Sequence, residues 1–219
     1  MRNMPVATVV VMLLLSGSGA VAQDKSGFLG DAYGKLEETT SASNAQVKRW
    51  IAPALSKYDK VLLEKTVLYP EPRSTNQVSN ATLQSIKAYL DEALRREVGA
   101  VAQLVDKPGP GTVRLKPAIT AAAAKEQGFK PYEILPAAFV FSQIKKASGT
   151  RAKEAALAVE WEARDAQSGE LVAAGMREGR GEKLRAPTDS VTLDNYKPVL
   201  DAWAKDARAA FETARSTKR

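Results

Sequence analysis

Ser142-Gln143-Ile144-Lys145 is a pattern that could do chemistry. A lysine one helical turn after a serine can take the hydroxyl proton and release a nucleophile. The S-D-N and K-T-G segments that accompany this pattern in serine hydrolases are missing here. Its alternative is an ordinary helix surface. Glu160 and Glu162 form a second pair, two carboxylates pointing one way from a strand with Arg164 beside them. Such a pair can serve as acid and base or hold a hard cation. The same alternation describes the wet face of a half-buried strand, which is the reading adopted here.

The densest charge run is Arg177-Glu178-Gly179-Arg180-Gly181-Glu182-Lys183-Leu184-Arg185. Arg177, Arg180, Lys183 and Arg185 form a candidate anion-binding set, with glycines that leave backbone amides open. The rival is a flexible, solvated strand end, its field diluted by Glu178 and Glu182. Asp189 and Asp194 lack a third carboxylate at ligand spacing, so no calcium loop is expected.

What is missing narrows the chemistry further. The 219-residue chain has no His and no Cys. That excludes a Ser-His-Asp triad, a thiolate nucleophile and a Cys- or His-ligated metal. No catalytic, metal or cofactor set is assigned, and no cofactor is expected. Lys and Arg total 32 against 25 acidic residues, a formal charge of +7. A modest excess spread along the chain is not a nucleic-acid footprint. It suits an envelope surface rich in phosphate and carboxylate.

Met1 to Ala22 has the layout of a secretory signal peptide. Arg2 precedes the apolar run Val6 to Leu15, and small residues end in Ala20-Val21-Ala22. Cleavage is expected between Ala22 and Gln23, giving a periplasmic chain. The apolar run falls short of the roughly 20 residues that span a bilayer. No later stretch is apolar enough, so no span is expected in the mature chain.

Residues 23–45 are poor in large apolar side chains and predict an irregular lead-in. Residues 46–215 predict one α+β domain, and 216–219 a tail. Lys60 to Tyr69 reads as a strand that stops at Pro70. Ser79 or Asn80 caps a helix to about Val98, with Leu83, Ile86, Leu90, Leu94 and Val98 on its apolar stripe. Thr112 to Lys116 alternates apolar and basic, and Pro117 points to an edge strand or a bulge. Ala121 to Lys125 is ambiguous, and Leu135 to Ala147 suggests a helix. Ala156 to Arg164 and Glu170 to Gly175 predict a hairpin about an Asp165–Gly169 turn. A last helix runs from about Leu193 to Arg215. Trp50, Trp161 and Trp203 are expected as core anchors. The sum is a sheet of about four mainly antiparallel strands packed with two or three helices.

Four segments carry a family resemblance. They are Ser56-Lys57-Tyr58-Asp59-Lys60-Val61-Leu62-Leu63, Pro108-Gly109-Pro110-Gly111-Thr112-Val113-Arg114-Leu115, the turn Asp165 to Glu170, and Leu200-Asp201-Ala202-Trp203-Ala204. The chain resembles the domain-of-unknown-function 3313 family. That resemblance implies a bacterial cell-envelope protein, commonly a lipoprotein, with no settled activity and no catalytic residues to carry over. Lipoprotein signals end in a cysteine, and Leu15-Ser16-Gly17 is followed here by Ser18. The expectation is a non-enzymatic accessory domain that binds an envelope protein or an anionic envelope polymer. The alternative is a small periplasmic hydrolase using Ser142 and Lys145, or Glu160 and Glu162.

Overall fold

The computed structural model describes residues 25–71, 77–126 and 152–216. The expected signal segment with its Ala22–Gln23 cleavage, the Leu135–Ala147 helix, Ser142 and Lys145 lie outside the described residues.

The strands are β1 (Glu37–Thr40), β2 (Gln46–Ile51), β3 (Lys60–Leu63), β4 (Val67–Leu68), β5 (Gln103–Leu104), β6 (Thr112–Glu126), β7 (Lys153–Asp165) and β8 (Leu171–Lys183). The α-helices are α1 (Asn80–Gly99) and α2 (Leu193–Ser216), with short 3-10 turns at Gly30–Lys35 and Pro53–Lys57. All eight strands join one mixed sheet in the order β1-β2-β8-β7-β6-β3-β5, with β4 also on β6. The α+β single domain is as expected. The sheet is twice the expected size, because short strands with weak alternation pair at both of its ends.

The hairpin is the spine. β7 and β8 pair antiparallel, and the turn between them is set by Asp165. Its carboxylate accepts from the amides of Gln167 and Ser168 at 2.9 and 2.7 Å and from the Tyr58 hydroxyl at 2.9 Å. Those donors hold the Asp165 carboxyl down at about 2. Gly169 completes the turn at φ +77°, where a side chain would be strained. β8 continues well past the expected Gly175, to Lys183.

Two further expectations are corrected. Residues 60–69 form two short strands, β3 and β4, both parallel to β6. Pro117 lies in β6 at the middle of the sheet, neither on an edge nor at the bulge, which falls between Ile119 and Ala121. The break between β3 and β4 explains how proline is tolerated. The carbonyls of Gly111 and Leu115 accept from Lys60 and Glu64 of that neighbour. By alternation, the nitrogen of Pro117 faces the same side, beyond Leu63 where the ladder has stopped. The ambiguous Ala121–Lys125 is the continuation of β6.

The two long helices cover one face of the sheet. Leu83, Ile86, Leu90 and Leu94 of α1 meet Tyr196, Leu200, Trp203 and the β7 residues Leu157 and Val159. The Ser79 hydroxyl accepts from the Thr82 amide at 3.0 Å and caps α1. Ser79→Ala is expected to cost about 1 kcal/mol, read from urea unfolding. At α2, the Asn195 carboxamide accepts from the Thr192 amide at 2.8 Å and its hydroxyl at 3.1 Å, bracing the first turn.

The lead-in is not irregular throughout. Its 3-10 turn packs Leu29 and Ala32 on Ala174, on the face away from the helices. β1 then pairs with β2 at the sheet edge. Few large apolar residues are needed for this, because the lead-in borrows a ready-made sheet face.

Candidate functional site

The glycines of β8 are placed for packing. A Cβ at Gly181 would lie 2.0 Å from the Asn195 carbonyl oxygen of α2. One at Gly179 would lie 2.3 Å from a Val199 methyl and 3.0 Å from the Trp203 ring. One at Gly175 would lie 2.5 Å from Trp161. Their absent side chains let α2 and Trp161 rest directly on the strand.

Arg177 stands among those glycines, on the face under α2. Its guanidinium donates to Asp206 Oδ2 at 2.5 Å, and its side chain is only 7% exposed. It also lies 5.3 Å from the centre of the Trp203 ring. Burial pulls the Arg177 pKa down from its ordinary value, with Asp206 opposing. Burial alone would raise the carboxyl of Asp206. Hydrogen bonds from Ser43 and the Arg177 charge outweigh it, and the net direction is down. The Ser43 amide and hydroxyl reach Asp206 at 2.8 and 2.7 Å, so one carboxylate joins the β1–β2 turn, β8 and α2.

The structure therefore removes Arg177 from the surface set expected at residues 177–185. Arg180 lies on the opposite face of β8 and pairs with Glu154 at 3.4 Å. Lys183 ends the strand, and Arg185 follows in the loop to α2. Strand alternation separates what adjacency in sequence had joined.

Glu160 is also corrected. It is 1% exposed, not on a wet face. Its carboxylate accepts from the Tyr33 hydroxyl at 2.5 Å and from the Ser26 amide at 3.4 Å, so the lead-in covers it. Burial raises its pKa, against the opposing hydrogen bonds from Tyr33 and Ser26. Tyr33 is pushed up to about 12, by burial and then by Glu160. Glu162 is committed elsewhere, to Arg164 at 2.9 Å. The two carboxylates thus serve different partners rather than one reaction centre. Sequence alternation could not show this, since the cover comes from residues more than 120 positions away.

A raised acid is expected to tilt stability with pH. The neutral form of Glu160 is favoured in the folded state. Its contribution is full below the ordinary value of 4.5 and is lost as pH rises toward the raised folded value. Glu160→Gln is expected to keep its stability over that window while the wild type loses some. Paired thermal melts from about pH 4 upward check this; a constant difference across the series would contradict it.

A concave feature on the helix side lies between the sheet and α2. It is a cavity of about 100 Å³ that sequence reasoning did not identify. Trp161 forms its floor, in register with Gly175 of β8 and Pro117 of β6. Arg49 of β2 is the next residue across, paired with Gly175. Ala207, Ala210 and Phe211 of α2 close it from above. Trp203 is a buried core anchor, as expected, whereas Trp161 is half-buried at this cavity and Trp50 is half-buried beneath Lys35. Among the described residues, no group of three acidic side chains could hold a metal ion. No described helix is long and apolar enough to cross a membrane.

Among solved structures, the chain is similar to protein XCC0632 from Xanthomonas campestris, at 8% identity and a TM-score of 0.45, covering 74% of this chain and 87% of that one. It is also similar to the PelC dodecamer from Paraburkholderia phytofirmans, at 13% identity and a TM-score of 0.40, covering 74% of this chain and 96% of that one. In sequence it is 33% identical over 207 residues to the uncharacterized lipoprotein YdcL of Escherichia coli K12, covering 92% of this chain and 93% of that protein. The family described as "Protein of unknown function (DUF3313)" matches residues 24–207. The chain belongs to that DUF3313 family.

Proposed function

We propose that the protein is a non-enzymatic accessory domain of the bacterial cell envelope, exported to the periplasm and cleaved after Ala22. The observation that carries this reading is where its buried charge goes. Arg177 with Asp206, and Glu160 with Tyr33, tie elements of the fold together. An acid–base centre instead needs such groups to converge on a shared substrate position. The relationship to a protein named as a lipoprotein supports an envelope location. This chain has no cysteine to carry a lipid, so its association with the envelope would rest on binding.

The partner proposed is an anionic envelope polymer, met by Arg180, Lys183 and Arg185 at the far end of β8. Exposed charges are screened over about 8–10 Å at physiological salt, so binding is expected to weaken steeply with added salt. The test is co-sedimentation of the mature chain with purified peptidoglycan across a salt series. The triple change Arg180→Ser, Lys183→Ser, Arg185→Ser should abolish pelleting. Salt-independent pelleting, or pelleting unchanged in the triple variant, would overturn the polymer reading and favour a protein partner. Labelling of the chain by a serine-directed activity probe, lost in Ser142→Ala, would overturn the non-enzymatic reading.

A further inference from the structure

The cavity over Trp161 has a polarity that packing alone does not require. Its floor is an indole ring lying against Gly175, and its roof is built from the small residues Ala207 and Ala210. Larger side chains at those two positions would fill it; alanine leaves about 100 Å³ open. That is of the order of the ~150 Å³ cavity known to accept a benzene-sized molecule.

One end of this cavity is cationic. Arg49 borders it, half-buried, and makes no ion pair among the described residues. Arg177 lines it one step along β8 on the same face. Two buried donors of its lining residues have no partner among the described residues: the Nε of Arg177 and the Nε1 of Trp203. Both side chains are more than nine-tenths buried, and both line the cavity. Both atoms are sealed from the cavity, so an entering anion meets Arg49 and the rest of the Arg177 guanidinium. Asp206 already neutralises Arg177 once, so the net charge at this end is that of Arg49.

We propose that this cavity binds a small anionic amphiphile, its alkyl chain lying on Trp161 and its head group held at Arg49 and Arg177. The head is a carboxylate or a phosphate monoester, since both present acceptor oxygens and negative charge to guanidinium groups. This site lies under α2, apart from Arg180, Lys183 and Arg185, and does not depend on the polymer reading.

Isothermal titration of the mature chain with octanoate, octyl phosphate, octanol and octylamine tests it, each ligand below its micelle concentration. Octanoate or octyl phosphate should bind about tenfold more tightly than octanol, as one charge-assisted hydrogen bond provides, and octylamine should bind least. The stronger of the two anions identifies the head. Arg49→Gln, at a half-exposed position, should erase the preference for an anion over octanol. Ala210→Phe should remove binding of all four ligands by filling the cavity. If Ala210→Phe does not fold, Ala207→Leu makes the same test. Absence of binding by either anion to the folded wild type would overturn the proposal. So would affinity unchanged in Arg49→Gln, or retained in a folded cavity-filling variant.

Discussion

Asp206→Ala is expected to destabilise the domain by about 3–5 kcal/mol, the cost of leaving one member of a buried ion pair behind. The Asp206 side chain is 10% exposed and that of Arg177 only 7%, so water replaces the lost partner poorly. The same change strips the Ser43 amide and hydroxyl of their acceptor, which should loosen the β1–β2 turn from α2. Urea unfolding reads the loss. The double variant Arg177→Met/Asp206→Leu should recover most of it, because well-packed apolar residues avoid desolvating two charges. Recovery would show that the pair matters by being complete, not by adding net stability. A double variant as unstable as the single would show that the geometry itself is irreplaceable. The wild-type pair should also weaken in acid. Asp206 has a lowered pKa, so its contribution is present above the ordinary 3.8 and fades as pH falls through the lowered folded value.

Gly181→Ala is the second large effect. Its methyl group would sit 2.0 Å from the Asn195 carbonyl oxygen, well inside contact distance, and the obstacle is helix backbone rather than a movable side chain. The first turn of α2 must lift, and with it Tyr196 and Leu200, both completely buried against the sheet. Overpacking of this kind costs about 1–3 kcal/mol, and the upper end is expected because a whole helix end is displaced. Gly34→Ala is the matched control. Beyond its own turn and chain neighbours, no described atom lies within 4 Å of its added Cβ, and its stability should stay within about 0.5 kcal/mol of the wild type. Equal, small effects at both sites would show that α2 does not rest on Gly181 as described.

At Arg177 and Gly181 the information carried by local sequence stops. Read as a charge run, residues 177–185 offered four cations and two glycines to an anion. In the folded chain the glycines admit α2, and the first arginine is sealed beneath it. Glu160 shows the same failure on the other face. Its alternation with Ala158 and Glu162 suggested water, and the lead-in supplied a tyrosine instead. In both cases the deciding partner comes from a distant segment, and nothing local encodes it.

By itself the sequence determined the elements whose signals are local. The stripe Leu83 to Val98 and the Ser79 cap define α1, and the helix read from about Leu193 to Arg215 is α2, which buries Tyr196, Val199, Leu200, Trp203 and Phe211. Alternation about an aspartate-glycine turn defines the hairpin. Its composition, without His or Cys, set the bounds on catalysis before any fold was known. Tertiary structure alone decided the rest. It paired β3 and β4 with β6 and β5 with β3, breaking in two the stretch 60–69 that alone reads as one strand and adding a two-residue strand too short to carry periodicity. It placed Pro117 opposite a break in its neighbour, so that a residue unfit for a sheet interior sits in one without losing a hydrogen bond. It also opened the cavity over Trp161. That space is defined by what four strands and two helices fail to fill together, and so has no signature in any one of them.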